Sequence, residues 1–445
     1  MRLSRAIRNP TRLVPLAFLA AIVVGTLLLW QPFARAGAGG APLLVALFTA
    51  TSAVCVTGLA VVDTGTYWSP LGQVVILMLV QVGGLGIMTA ATLLGLIVSN
   101  RLRLGQRLLA QAETRTMALG DVAAALRLIL LVVLSVEATI ALLLFLRLHF
   151  GYGEPLGTAA WNGLFHAVSS FNNAGFARWS DNVIGFAGDP FVLVPLMVAV
   201  VLGAIGFPVL YELKRELKTP QTWSLHTKLT LLGSAALLLV GALAVLAFEW
   251  GNARTIGDMT TGGKLLNALF HSVVTRTAGF NSLDIGAMRP ETLLVTDVLM
   301  LIGGGSGGTA GGIKVTTFLV LGLVVWTELL GEKDTHAFRR RIPSEIARLA
   351  LSVVLLALAA VGAGTLILLS VSSFELGPVL FEAVSAFATV GLSTGITAQL
   401  PPGGQATLIV LMFVGRVGTV TAAAALVLRS QPRPYRYPEE RPIIG

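Results

Sequence analysis

Apolar stretches of about 20 residues recur along the chain, separated by shorter segments in which apolar and polar positions mix. The first long stretch is LVPLAFLAAIVVGTLLLW (13–30). A run of about 20 apolar residues at 1.5 Å each matches the roughly 30 Å hydrocarbon core of a bilayer. The pattern predicts transmembrane helices, and the mixed segments between them, at roughly 10–14 residues, are too short and too polar to cross.

The mixed segments repeat. FTATSAVCVTGL (48–59), FHAVSSFNNAGF (165–176), FHSVVTRTAGF (270–280) and FEAVSAFATVGL (381–392) each place a Phe nine or ten residues before a glycine. Those glycines, Gly58, Gly175, Gly279 and Gly391, are spaced 117, 104 and 112 residues apart. A second glycine signature follows 24 to 28 residues later, opening at Gly83, Gly203, Gly303 and Gly415. Each unit therefore reads as a long apolar helix (M1), a short amphipathic half-helix (P) and a second apolar helix (M2). M1 is expected near 13–30, 126–149, 227–249 and 346–371, and M2 near 70–98, 189–211, 290–330 and 404–428. Repeat boundaries fall at 1–100, 101–218, 219–335 and 336–430, with a tail at 431–445. The expected fold is an all-α polytopic membrane protein of four parallel M1–P–M2 repeats, with eight transmembrane helices and four re-entrant pore helices around a pseudo-fourfold pore. Non-helical backbone at membrane depth survives only when buried in protein or lining a cavity, so four such segments imply one shared cavity.

Composition and charge sharpen this. The 445 residues are 55% hydrophobic and 12% charged, with a net charge of +9. Of 31 Lys and Arg, 22 lie in the N-terminal arm, in the inter-repeat segments 100–127, 211–228 and 332–348, and in the C-terminal tail. The segments flanking P hold six: Arg35, Arg178, Arg254, Lys264, Arg276 and Arg289. The positive-inside rule then puts both termini and the inter-repeat loops in the cytoplasm, with P entering from outside. The basic excess is thus topological and gives no ground for nucleic-acid binding. A signal-peptide reading of the N-terminus, with ARAG near Ala36 as cleavage site, conflicts with the first repeat's need for that helix. The single cysteine, Cys55, excludes an intrachain disulfide, and no nucleophile–base or metal-ligand constellation stands out, so no enzyme is expected.

Four triplets close the P segments: Val56-Thr57-Gly58, Asn173-Ala174-Gly175, Thr277-Ala278-Gly279 and Thr389-Val390-Gly391. Potassium filters use four T-V-G-Y-G loops whose carbonyls replace the ion's water shell. Glycine permits the backbone angles this requires, and the negative C-terminal ends of the P helices favour a cation.

The repeat architecture and the motifs FNNAGF, RTAGFN and TVGLSTG resemble the Trk/Ktr/HKT superfamily of potassium transporters, over essentially the whole chain. With no extra N-terminal helix pair, the sequence is most similar to the Ktr-type membrane subunits. The resemblance implies a potassium-translocating subunit of the bacterial plasma membrane, often sodium-dependent, forming a homodimer with a pore in each protomer. It also implies a separate cytosolic regulatory ring that binds adenine nucleotides, with no cofactor in this chain beyond K+ in the filter and Na+ as activator. In plant relatives, serine at the first filter glycine accompanies sodium preference, so Gly58 favours potassium. Three of the four triplets depart from T-V-G.

The run GGGSGGTAGGIK (303–314) fits G-x-G-x-x-G, yet no strand precedes it and Ile313 separates Lys314 from the P-loop position. Its place in the repeat makes it a break in the third M2, which spans about 41 residues against 23 in the second. Each glycine costs about 1 kcal/mol relative to alanine in a helix. Gly303, Gly304, Gly305, Ser306, Gly307, Gly308, Thr309, Gly311 and Gly312 are expected to form an intramembrane gating loop, as the resemblance also implies. Arg416 in the fourth M2 is expected to face the pore and contact this loop. Lys314 is either a second pore cation or a snorkelling residue. Glu137 is expected to be a buried hydrogen-bonding group, His166 and His271 structural contacts, and Asp63 and Asp284 outer-mouth acids that concentrate cations. The rival to a pore is a cation-coupled symporter (K+/Na+ or K+/H+) with an occluded midplane site, which more often has inverted repeats.

Overall fold

The computed structural model describes residues 10–100 and 122–418, with side chains placed over 13–90 and 126–418. The N-terminal arm to residue 9, most of the 100–127 segment, the end of the fourth M2 and the 431–445 tail lie outside the described residues.

The described chain is mostly helical. Helix α1 (Pro10–Trp30) precedes the short α2 (Leu43–Val54) and the long α3 (Pro70–Asn100). Next come α4 (Val122–Leu146), α5 (Leu156–Phe171), α6 (Pro190–Ile205) and α7 (Phe207–Glu216). The third set is α8 (Leu225–Glu249), α9 (Thr261–Val274), α10 (Pro290–Leu301) and α11 (Val315–Leu329). The fourth is α12 (Ser344–Val371), α13 (Leu376–Ala388) and α14 (Pro402–Phe413). Side chains such as Leu19, Val23, Leu131, Leu142, Leu239, Leu355 and Leu366 stand about half exposed on the long helices, an outer surface suited to lipid.

Five described helices are long and apolar enough to cross a bilayer, and the bent pair α6–α7 makes a sixth. The hydrophobic pattern predicted eight. The shortfall lies in M2. The third M2 is split into α10 and α11 by residues 302–314, as its glycines predicted, and the fourth runs out of the described residues.

The second M2, expected to be continuous over 189–211, also breaks. It bends by 98° between α6 and α7. Gly206 adopts φ +99, and Pro208 lies at the start of α7. The sequence signal was G-F-P: a glycine able to end one helix and a proline placed to begin the next.

The four short helices α2, α5, α9 and α13 coincide with the four P segments, α5 being longer than expected at 16 residues. Their leading aromatics Phe48, Phe165, Phe270 and Phe381 are fully buried. Within lipid, helices gain little by hiding apolar surface from one another, so association rests on close packing of small residues. Gly25 against Leu79 and Gly364 against Leu411 are such contacts.

The basic 332–348 segment, expected as a plain loop, folds into a hairpin, β1 (His336–Ala337) paired with β2 (Arg340–Arg341). An Arg341–Asp334 ion pair at 2.8 Å closes its base.

Candidate functional site

The four triplets follow the C-termini of α2, α5, α9 and α13, and they meet. A side chain placed on Gly58 would lie 2.3 Å from Ala174 O; on Gly175, 2.8 Å from Ala278 O. On Gly279 it would lie 2.6 Å from Val390 O, and on Gly391, 2.1 Å from Thr57 O. Each glycine thus abuts a carbonyl of the next triplet, and the fourth closes on the first. The result is a ring in the order 58, 175, 279, 391, in which a side chain at any of the four positions would have to displace a neighbouring carbonyl.

Backbone conformation repeats as well. The first residue of every triplet is left-handed: Val56 φ 54, Asn173 φ 58, Thr277 φ 74 and Thr389 φ 51. The ring glycines are left-handed too, at 93, 71, 70 and 95, while the middle residues are not. Three of the four first residues are β-branched, for which positive φ is a genuine outlier costing on the order of 1–3 kcal/mol. An extended strand points successive carbonyls to opposite sides, whereas alternating hand turns them to one side.

Hydrogen bonds hold the strain in place. Thr57 N–H donates to Ser52 O (2.8 Å), Ala174 N–H to Ser169 O (2.7 Å) and Val390 N–H to Ser385 O (2.8 Å). Ser52 Oγ and Ser385 Oγ accept from the N–H groups of Gly58 and Gly391 at 3.0 and 3.1 Å.

The glycine run lies against this ring. Its neck is closed, with Gly303 N–H donating to Ile313 O (2.8 Å) and Ile313 N–H to Leu301 O (3.0 Å). One flank docks on the broken end of α6: Gly305 N–H donates to Ala204 O (2.8 Å), Thr309 N–H to Gly203 O (3.0 Å), and Phe207 N–H to Gly307 O (3.2 Å). The other flank touches the first residues of three triplets. Asn173 Nδ2 donates to Thr309 Oγ1 (2.7 Å), and Gly311 N–H donates to Thr277 Oγ1 (3.3 Å). A methyl on Gly311 would sit 2.0 Å from Thr389 Oγ1. Gly303, Gly304, Gly305, Gly308, Gly311 and Gly312 are buried, and Ser306 and Gly307 partly so.

Two guanidinium groups grip the run. Arg416, 2% exposed, donates through Nη1 to Thr309 O at 2.5 Å. Arg276, 5% exposed, donates through Nη2 to Gly303 O at 2.6 Å. Charge counting along the sequence places Arg276 in an outward-facing loop. Its position directly before Thr277, in the turn that follows α9, instead buries it beside the ring. Lys314 Nζ folds back onto Ala310 O at 2.6 Å, so it belongs to the loop and does not snorkel.

The remaining residues take structural positions. Asp63 Oδ1 caps a single helical turn through the N–H and hydroxyl of Thr66, both at 2.7 Å. Burial pushes its carboxyl pKa up, but hydrogen bonds from Ser180, Thr66 and Gly65 outweigh this and hold it below the ordinary carboxylate range. Asp284 likewise caps a turn through Gly286 N–H at 3.0 Å. Glu137 is buried and accepts from Gln81 Nε2 (3.2 Å) and Asn172 Nδ2 (3.1 Å). Among the described residues no cluster of three His, Cys, Asp or Glu could hold a metal, and Cys55 is a buried free thiol.

Apolar helices around a ring of four helix-ended loops define a polytopic membrane protein with a built central site. Residues 2–434 match the family described as "TrkH: Cation transport protein", and the chain belongs to that family of transporters. It is 40% identical to the "Ktr system potassium uptake protein B" of Bacillus subtilis (strain 168) over 98% of this chain and 97% of that one. The Vibrio alginolyticus protein of the same name is 38% identical, over 98% and 94%. The fold is that of the potassium transporter TrkH from Vibrio parahaemolyticus, with a TM-score of 0.73 at 17% identity, covering 96% of this chain and 85% of that one.

Proposed function

We propose that the chain takes up potassium through a pore whose selectivity filter is the ring of four triplets. In this reading the four sets of helices are parallel M1–P–M2 repeats with eight crossings in all. Both termini face the cytoplasm of a bacterial plasma membrane, and the P helices enter from outside. The repeats then run 1–100, 101–218, 219–335 and 336–430, with a cytoplasmic tail at 431–445. Val56, Thr57, Gly58, Asn173, Ala174, Gly175, Thr277, Ala278, Gly279, Thr389, Val390 and Gly391 supply the ion ligands from their carbonyls. The observation that carries this is the closed ring itself, left-handed at the same two positions of every triplet. Replacing a hydration shell by fixed carbonyls is how such a ring admits potassium. The relatives named as potassium uptake proteins support the choice of ion.

Residues 303–312 are the gate, with Arg416 and Arg276 as its latches. The loop lies against Asn173, Thr277 and Thr389, so a potassium ion leaving the filter meets it first. Buried guanidinium groups also oppose a cation there. Opening requires the bonds to Thr309 O and Gly303 O to break. Asp63 and Asp284 stand at the outer mouth, where their carboxylates serve as turn caps as well as attracting cations.

The working unit in this reading is a homodimer in lipid. Its control comes from a separate cytosolic subunit that binds adenine nucleotides, as the Ktr system relatives suggest, and sodium acts as an activator. Expression with such a partner in a bacterium lacking potassium uptake tests the proposal. Growth should be restored at micromolar-to-millimolar potassium, and absence of rescue with the protein present in the membrane would refute it.

A further inference from the structure

Each short helix carries a polar or charged side chain nine residues before its ring glycine in repeats 1, 2 and 4, and eight before in repeat 3: Thr49, His166, Glu382 and His271. Two of these perform one task in one register. His166 Nε2 accepts the main-chain N–H of Arg178 at 3.2 Å, and Glu382 Oε1 accepts that of Thr394 at 3.1 Å. Both donors lie twelve residues after the acceptor and three beyond the ring glycine. Both acceptors are fully buried.

The surroundings fix each acceptor. His166 Nδ1 lies 2.8 Å from Asn162 O, which places the ring proton on Nδ1 and leaves Nε2 as a lone-pair acceptor. The imidazole also stacks on Trp179, with ring centroids 3.9 Å apart. Glu382 receives Ser393 Oγ at 2.5 Å and Thr397 Oγ1 at 2.7 Å, so its carboxyl gathers the strand leaving triplet four. In the other repeats the side chain is committed elsewhere or short. His271 Nε2 meets Thr296 Oγ1 on α10 at 3.1 Å, and Thr49 offers a hydroxyl one carbon from the backbone.

Triplets two and four face each other across the ring, so the two braces are opposed. A carbonyl ring separates potassium from a smaller cation only as far as its ligands resist closing inward. A strand tethered just beyond its ring glycine resists that closure. We propose that His166 and Glu382 are a diagonal pair of positioning residues for ion discrimination: they hold the outer limbs of the ring at the width of a dehydrated potassium ion. This rests on the filter reading above.

The test is potassium uptake by the complete transporter under competing sodium, taken as the ratio of half-maximal concentrations. Glu382→Met and His166→Phe keep the volume and remove the acceptor. His166→Phe should lower potassium-over-sodium discrimination about fivefold, the worth of one buried hydrogen bond, and Glu382→Met, which removes three, by at least as much. Glu382→Gln keeps Oε1 as an acceptor and should restore most of the ratio. Gly391→Ser serves as the reference. If it lowers discrimination while Glu382→Met and His166→Phe leave the ratio unchanged, the brace is refuted and the filter stands. If Gly391→Ser also leaves the ratio unchanged, the filter reading itself falls. Should Glu382→Met not accumulate in the membrane, His166→Phe at the opposite brace decides.

Discussion

The first and third M2 segments carry the same glycine signature and use it in opposite ways. In α3 the helix runs unbroken through Gly83, Gly84 and Gly86. Gly83 brings that helix onto the end of α2, where a methyl would lie 2.1 Å from Val54 O. Gly203 and Gly415 do the same in their repeats, against Phe171 O and Phe387 O at 1.9 and 1.6 Å. All three carbonyls lie four residues before a ring glycine. In the third repeat that partner is replaced, and a methyl on Gly303 would instead meet Gly311 O at 1.9 Å. A position that elsewhere seats M2 on a P helix here forms the neck of a loop lying against the ring. Three glycines weaken a helix that packing can still hold; seven between 303 and 312 leave too little helix to hold.

The difference yields graded expectations. The largest concerns the seat. In Gly83→Ala the added methyl meets a carbonyl fixed by two packed helices, and overpacking of this kind costs about 3 kcal/mol. Thermal unfolding of the detergent-solubilised protein should show a clear loss, and an unchanged midpoint would break the comparison. Next are the latches. Arg416→Gln and Arg276→Gln each weaken a charge-assisted bond to the loop, so the open population should rise about tenfold. Ion flux into proteoliposomes without the regulator measures this, and a fall in flux would reverse the latch assignment. Thr309→Val removes the acceptor for Asn173 Nδ2 and the donor to Phe171 O but no charge, and should raise flux by about fivefold. Smallest is Gly86→Ala, where the new methyl finds Phe18 at 3.7 Å, an ordinary contact. Helix propensity then predicts a gain of up to about 1 kcal/mol, seen as a slightly raised unfolding midpoint.

The four short helices and the glycines that meet after them were legible because they repeat at nearly constant spacing. The break in the third M2 was legible from the density of glycine. The break at Gly206 is not legible in the pattern, because two glycines in an apolar run are ordinary and Pro208 is tolerated in a first helical turn. Only the loop that docks there, through Ala204 O and Gly203 O, makes the bend necessary. Counting charges along the chain puts Arg276 in a surface loop, whereas the turn after α9 buries it. Its burial depends on how far the chain dips before turning, which spacing does not encode. The shared register of His166 and Glu382 was hidden because two unlike residues perform one task; their positions aligned, but their bonds appear only in three dimensions.

The central claim is that residues 303–312 close the path below the filter, and excision of the loop tests it most directly. Gly312 lies beside Gly303, a methyl on one reaching within 3.4 Å of the other's Cα, so deleting Gly304–Gly311 removes the loop and leaves only a short gap to rejoin. Potassium flux through the deletion variant in proteoliposomes should rise well above that of the intact chain and lose its dependence on the regulator. A variant that folds, stays closed and still answers to the regulator would contradict the gate.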